Sequence, residues 1–216
     1  MPQKEIKIVD LGRINYGDAL KEQLHYVDLV NTTTPDTAYI LLCEHNHVYT
    51  LGLHGKENNL LVNADFLKKI DAEYYKIDRG GDITYHGPGQ LTVYPILNLD
   101  RWGLGVKQYI HNIEESIIRL VARYGITAGR VHGATGVWIG NSKICAIGVK
   151  VSHFVTRHGL ALNVNTDLKY FSYINPCGFV DKTVCSIASL TGKEIDFTTV
   201  KQQFAEEITR QLIIDN

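Results

Sequence analysis

Apolar residues at helical spacing predict three long helices in this chain. They fall over residues 16–30, 106–124 and 199–214, and Gly125 follows the second of these as a stop signal. A shorter helix is predicted within residues 60–70. The polar stretch 32–35, with its proline, ends the first helix.

Between the helices, the apolar pattern predicts strands. Continuous or alternating apolar runs cover residues 6–11, 39–43, 74–77 and 90–97. A hairpin is predicted from 136–139 and 143–151, turning at Gly140-Asn141, and 154–164 follows as a third antiparallel strand. Strands outnumber helices and do not alternate with them regularly. The fold class expected is therefore α+β, a mixed, largely antiparallel sheet flanked by helices, with the helices on one side. No linker or repeat interrupts the pattern, so a single domain over 1–216 is expected.

A glycine-rich stretch over residues 79–95 interrupts this regular pattern. It reads Arg-Gly-Gly-Asp-Ile-Thr-Tyr-His-Gly-Pro-Gly and then continues as a strand. Glycines let a ligand approach the backbone, and the interleaved polar side chains favour a binding wall over a plain glycine-rich hairpin corner. The spacing does not match a phosphate-binding loop. The candidate wall residues are Arg79, Gly80, Gly81, Asp82, Ile83, Thr84, Tyr85 and His86.

Composition excludes several classes of protein. The 216 residues carry 22 basic and 23 acidic side chains, for a net charge of -1, which gives no reason to expect a nucleic-acid partner. No apolar run reaches the ~20 residues of a membrane span, and the N-terminus lacks the apolar segment of a signal peptide. We expect a cytoplasmic protein that binds no membrane.

The chain has four cysteines and no Cys-x-x-Cys pair, which argues against a zinc ribbon or a dithiol redox site. Cys177 lies between a proline and a glycine, which leaves its thiol sterically open. It is a candidate nucleophile, with a small buried hydrophobe as the alternative. The groups that could activate the thiol are His86, Lys143 and His158, although Lys143 could also be a solvated hairpin lysine.

His45 and His47 raise the question of a metal site. They are two residues apart, so in a strand they would point to opposite faces, and no third ligand is indicated. We therefore favour a structural or substrate-wall role and expect no metal.

Several blocks, in order, resemble the octanoyltransferase (lipoyl(octanoyl) transferase) family. The glycine-rich stretch 79–95 is similar to that family's signature nearly residue for residue. The resemblance extends through Glu44-His45, Gly136-Val137-Trp138, Lys143-Ile144, Ala146-Ile147-Gly148, the segment 158–164 and Pro176-Cys177-Gly178.

The resemblance implies a fold like that of biotin and lipoate protein ligases. It implies transfer of an octanoyl group from octanoyl-acyl carrier protein to a lysine of lipoyl domains, those of 2-oxoacid dehydrogenase complexes and the glycine cleavage H protein. Cys177 would form an acyl-thioester, with Lys143 lowering its pKa and handling protons and His158 in support. A thioester donor needs no ATP, so no cofactor is expected. The substrate pocket would be lined by the stretch 79–86 together with Ala146, Ile147, Gly148, Gly159, Leu160 and Ala161.

Further expectations concern the acyl slot, the oxyanion and docking. Leu91, Tyr85 and Ile147 are candidate liners of an apolar slot, and backbone amides near Cys177 and Gly148 are candidate oxyanion donors. Carrier proteins are acidic as a class, so basic residues should help docking. The candidates for docking are Lys150, His153 and Arg157.

The sequence departs from the family pattern at three places. Asn46 and His47 replace two prolines, Cys145 replaces an alanine and Cys185 replaces a threonine. Cys145 is two residues from Lys143, so a regular strand would place both on one face. The alternatives that remain are an ATP-dependent lipoate ligase and a non-catalytic module that binds lipoyl domains.

Overall fold

The computed structural model describes residues 4–175 and 182–214. The strands are β1 (Glu5–Ile14), β2 (Thr37–His45), β3 (Val48–Leu51), β4 (Glu73–Lys76), β5 (Ile83–His86), β6 (Gln90–Ile96), β7 (Gly129–Val131), β8 (Ala134–Ile139), β9 (Ser142–Ser152), β10 (Val155–Asn163) and β11 (Thr183–Val184). The helices are α1 (Tyr16–Thr32), α2 (Ala64–Lys69), α3 (Val106–Ala122), α4 (Ile187–Thr191) and α5 (Phe197–Ile214), with 3₁₀ turns at Glu57–Asn59 and Leu168–Tyr173.

The larger sheet has the strand order β1-β2-β6-β10-β9-β8-β7, and β11 also pairs with β9. Within it, β1 and β2 are parallel, β11 is parallel to β9, and the other neighbours are antiparallel. The predicted hairpin is present as β8 and β9, and β10 continues it. This confirms the predicted α+β class with a largely antiparallel sheet.

Helices cover both faces of this sheet. Alternate residues of β2 separate into two cores, since Ile40 and Leu42 pack in the cluster that contains α3 and α5 residues, whereas Leu41 packs with α1 residues. The α3 stripe of Tyr109, Ile113 and Ile117 is fully buried, as its spacing predicted. The expectation that all helices lie on one side was wrong, because β2 is apolar without a break from Ala38 to Cys43 and so needs cover on both faces.

A smaller sheet with the order β4-β3-β5 lies over the α1 face and has its own apolar core. Strands β3 and β5 were not predicted, and the stretch that contains β5 was expected to be loop. The pairing of Val48 with His86 and of Leu51 with Ile83 turns residues 83–86 into a strand. Within the described part of the chain, no helix is both long and apolar enough to span a membrane.

Candidate active site

A cavity of about 260 Å³ lies between the two sheets. The larger sheet forms its floor, the stretch 79–86 forms one wall, and Phe171 and Ile174 close another side. Fourteen of the seventeen residues predicted for the site line it, so segments far apart in the sequence meet here. They are Arg79, Gly81, Asp82, Ile83, Thr84, His86, Lys143, Ala146, Ile147, Gly148, His158, Gly159, Leu160 and Ala161.

Small residues make the floor of this cavity. Ala146 pairs with Ala161, and Gly148 pairs with Gly159, across β9 and β10. A Cβ atom on Gly148 would lie 2.7 Å from the Gly80 carbonyl oxygen, so the missing side chain lets the wall rest on the floor. A Cβ on Gly159 would lie 2.0 Å from the Val93 carbonyl oxygen, which makes glycine necessary there.

The floor is irregular beside Pro95, which has no N–H to offer a neighbouring strand. The β6–β10 pairing runs from Gln90↔Asn163 only as far as Val93↔Leu160. Two residues further along β10, His158 has φ +57, and its N–H donates to the Gln23 side chain at 2.9 Å. At this irregular point of the strand, His158 lines the cavity.

Asp78 gathers three basic side chains behind that wall. Its carboxylate accepts from Lys150 Nζ at 2.7 Å, from His158 Nε2 at 3.0 Å and from Arg157. Partial burial opposes ionisation of Asp78, but the hydrogen bonds from Lys150 and His158 and the charge of Arg157 outweigh it and hold its pKa at about 2. Asp78 therefore offsets part of the positive charge that the docking hypothesis assigned to Lys150 and Arg157.

Lys143 faces the cavity because of a β-bulge in β9. Val137 pairs with Cys145 and Trp138 pairs with Lys143, so Ile144 is the extra residue. The bulge changes the alternation of side chains. Lys143 consequently shares the cavity side with Ala146, and its Nζ lies 4.7 Å from the centre of the Trp138 ring. A second ammonium group, Lys182 Nζ, lies 4.6 Å from the same ring.

The bulge corrects the expectation that Cys145 and Lys143 share a face. Cys145 is fully buried in the core under α3 and α5, and burial raises the pKa of its thiol far above the ordinary value. Cys43 and Cys185 are also buried, and burial raises the pKa of both, to about 11 for Cys185. The predicted nucleophile, Cys177, lies outside the described residues, so its role stays a prediction.

Arg79 holds the glycine-rich wall in place. Its Nη2 donates to the Thr50 carbonyl oxygen at 2.6 Å, and its Nη1 donates to the Gly80 carbonyl oxygen at 3.0 Å. Gly80 in turn donates its N–H to Val149 on β9 at 2.9 Å. These bonds connect β3, the wall and the floor of the cavity.

Two of the predicted wall residues and one predicted slot residue do not line the cavity. Tyr85 packs in the core of the smaller sheet, where its hydroxyl bonds to His47 at 2.7 Å, because β5 alternates and its neighbours Thr84 and His86 take the cavity side. Gly80 contacts the floor through its backbone. Leu91 points into the core on the opposite face of the sheet.

A buried hydrogen-bond network that the sequence analysis missed runs behind the wall. His86 Nδ1 donates to Gln90 Oε1 at 2.9 Å, and Gln90 Nε2 donates to the Tyr85 carbonyl at 3.1 Å and to Asn163 Oδ1 at 2.9 Å. Asn163 Nδ2 then donates to the Cys185 carbonyl at 3.0 Å. Burial keeps the pKa of His86 well below its usual value, so His86 is neutral at pH 7. The only sign of this network in the sequence is that the side-chain amides of Gln90 and Asn163 lie within otherwise apolar strands.

His45, the last residue of β2, and His47, two residues further on, have structural roles. His45 Nδ1 donates to the Ile14 carbonyl at 2.8 Å and its Nε2 accepts from the Tyr94 hydroxyl at 2.7 Å, while burial lowers its pKa to about 4. His47 stacks on Tyr170 with ring centres 4.1 Å apart. Among the residues the structure describes, no cluster of three His, Cys, Asp or Glu side chains could hold a metal ion.

Comparison with known proteins places the chain in a family. The lipoyl protein ligase A/B catalytic domain matches residues 19–209. An octanoyltransferase from Bacteroides thetaiotaomicron is 55% identical, over 95% of this chain and 94% of the relative.

Solved structures agree on the fold. Lipoate-protein ligase A bound with ATP superposes with a TM-score of 0.78 at 15% identity, covering 96% of this chain and 85% of that one. Biotin protein ligase from Aquifex aeolicus, in complex with biotin and ATP, gives 0.56 at 15% identity, covering 97% and 71%. These likenesses confirm the predicted ligase-like fold. The chain therefore belongs to the lipoyl protein ligase A/B catalytic domain family and, within it, to the octanoyltransferases, which are acyltransferases.

Proposed function

We propose that one catalytic domain spanning residues 1–216 transfers an octanoyl group from octanoyl-acyl carrier protein to a lysine of a lipoyl domain, through a thioester on Cys177. The observation that carries this proposal is the cavity, which combines the Lys143 ammonium group with a floor of alanines and glycines. Ile174 and Lys182, which lie before and after Cys177 in the sequence, both line it.

The cavity suits a short acyl chain. At about 260 Å³ it falls just below the range of ~300–1,000 Å³ typical of pockets for drug-sized ligands. Ala146, Ala161, Phe171 and Ile174 offer apolar surface to the chain. Each methylene that leaves water contributes about 0.8 kcal/mol, so an octanoyl chain gains several kcal/mol of binding.

In the first half-reaction, the Cys177 thiolate attacks the donor carbonyl while Lys143 is an ammonium. The new carbon–sulfur bond forms, the bond to the carrier sulfur breaks, and Lys143 gives its proton to the leaving carrier thiolate. In the second, the neutral amine of the acceptor lysine attacks the thioester. An amide forms, the bond to Cys177 breaks, and Lys143 takes the proton that the amine loses.

Intact mass spectrometry tests this sequence of steps. Incubation with octanoyl-acyl carrier protein should add one octanoyl group to the wild type and to Cys145→Ala, whose thiol is buried, and none to Cys177→Ala. Adding apo-lipoyl domain should move the group to that domain. Lys143→Ala should slow acylation by about 10²-fold or more.

The same assay separates the alternatives. An ATP-dependent lipoate ligase would acylate the lipoyl domain from free octanoate, ATP and magnesium, and would still do so as Cys177→Ser. A non-catalytic module would bind the lipoyl domain without either protein gaining mass. Acylation of Cys177→Ala from the carrier would rule out Cys177 as the nucleophile.

A further inference from the structure

Strand β11 pairs with the part of β9 that contains Lys143. One edge of β9 pairs with β8, and its other edge pairs with β10 only from Leu162↔Cys145 onward. Because a strand has two edges, β11 must occupy the edge that β10 leaves free, and it pairs Val184 with Lys143 there. Lys143 is thus fixed from both sides, by Trp138 and by β11.

The Cys185 residue connects this short strand to Lys143. Its N–H donates to the Lys143 carbonyl oxygen at 3.1 Å. Its own carbonyl oxygen accepts from Asn163 Nδ2 at 3.0 Å. Asn163 is the last residue of β10, so its side chain bridges the gap between the end of β10 and β11.

Asn163 is itself held in one orientation. Its Oδ1 accepts from Gln90 Nε2 at 2.9 Å, which leaves Nδ2 to donate to Cys185. The side chain lines the cavity but is only 4% exposed, so losing these bonds would leave buried polar groups unsatisfied, which is costly. A two-residue strand such as β11 has little stability of its own and depends on contacts of this kind.

We propose that Asn163 is a positioning residue for Lys143: by holding the Cys185 carbonyl, it keeps β11 against β9 and so fixes the Lys143 ammonium group in the active site. The inference rests on the proposed function, in which Lys143 stabilises the Cys177 thiolate. Asn163 acts through the backbone of β11 and needs no contact with the acyl group.

A matched control lies two residues along the chain. Asn165 Nδ2 donates to the Ile195 carbonyl oxygen at 2.8 Å, and its Oδ1 accepts from the Ile195 N–H at 2.9 Å. Asn165 therefore ties the end of the same strand to another segment by bonds of the same kind, but it does not line the cavity. Asn165→Ala should lose comparable stability without disturbing Lys143.

The experiment measures the pH dependence of Cys177 alkylation by iodoacetamide, with the modified peptide identified by mass. If an ammonium group about 4 Å from a thiolate moves away by ~2 Å, the midpoint of the thiol titration rises by about one pH unit at an effective dielectric constant near 20. We expect that shift, with about tenfold slower alkylation below the midpoint, for Asn163→Ala and none for Asn165→Ala. Should Asn163→Ala fail to fold, Asn163→Ser, whose hydroxyl is too short to reach Cys185, tests the same bond.

A double-mutant cycle decides whether the effect passes through Lys143. In a Lys143→Ala background, Asn163→Ala should add no further shift. An unchanged midpoint in Asn163→Ala, or an equal shift in the Lys143→Ala background, would overturn the inference. If Lys143→Ala alone leaves the midpoint where it is in the wild type, the pairing in the proposed function has failed instead, and the octanoyl-transfer assay reports on that separately.

Discussion

Gly148→Ala should push the glycine-rich wall off the cavity floor. The added Cβ would lie 2.7 Å from the Gly80 carbonyl oxygen and 3.1 Å from Arg79 Cδ. The first contact is with backbone, so the wall must move. That movement strains the hydrogen bond from the Gly80 N–H to the Val149 carbonyl oxygen. Overpacking of this kind costs about 2 kcal/mol, which for a chain of this size lowers Tm by about 4–8 °C.

The effect on activity should exceed the effect on stability. A displacement near 1 Å in a group that positions substrate can cost ~10²-fold, so kcat/KM for octanoyl transfer should fall by about 10–100-fold. Gly129→Ala on β7 is the control, because its Cβ meets nothing within 4 Å. Gly80→Ala adds a Cβ on the wall side of this packing, 3.4 Å from the Val149 carbonyl oxygen, and should lower Tm less than Gly148→Ala does. Wild-type Tm and kcat/KM in Gly148→Ala would refute the close packing of wall on floor.

Four further predictions test other parts of the structure. Gly159→Ala places a Cβ 2.0 Å from a backbone oxygen and should cost more than ~3 kcal/mol, seen as a large loss of urea midpoint or of folded protein. Asp78→Asn should cost about 1 kcal/mol of folding stability at pH 7 after solvent screening. The wild type should lose this stabilisation as pH falls from about 4 to about 2, and the stability of the variant should not change with pH for this reason. Burial holds the pKa of His45 at about 4, below the ~6.5 of an unfolded chain. The contribution of neutral His45 to folding stability is therefore complete above pH ~6.5 and is lost as pH falls towards 4. A urea midpoint higher at about pH 5 than at about pH 7 would contradict this. Cys43 and Cys145 should resist iodoacetamide in the native protein at pH 8 and react in urea.

The long elements could be predicted because each one carries its own pattern. The stripe of Tyr109, Ile113 and Ile117 specifies α3 within one window of sequence. The four-residue strands β3 and β5 carry no such pattern. Val48–Leu51 is buried at every position, and β5 mixes apolar Ile83 with polar residues that face the cavity. Short strands of this kind are specified by their partners.

The candidate site was predictable as a set of residues and less so as an arrangement. Motif resemblance gathered the residues that line the cavity, but alternation along β9 wrongly placed Cys145 on the same face as Lys143. The bulge at Ile144 exists only in the register between β8 and β9, which the sequence of β9 alone does not contain. Asn163 was missed for a similar reason, since its importance comes from bonds to Gln90 and Cys185, residues distant in the sequence.

The fold by itself does not decide between acyl transfer and ATP-dependent ligation, because lipoate-protein ligase A shares it at 15% identity. The decision lies with the groups around the cavity. The ammonium groups of Lys143 and Lys182 both lie over the Trp138 indole ring, so positive charge is concentrated on this side of the cavity, and a nearby cation favours a thiolate. His86 and His158 are held neutral by burial and so compete poorly for the role of that cation. Lys143 is set on the cavity side by a bulge and bracketed by β8 and β11, and it is therefore the cation that we propose acts on the Cys177 thiol.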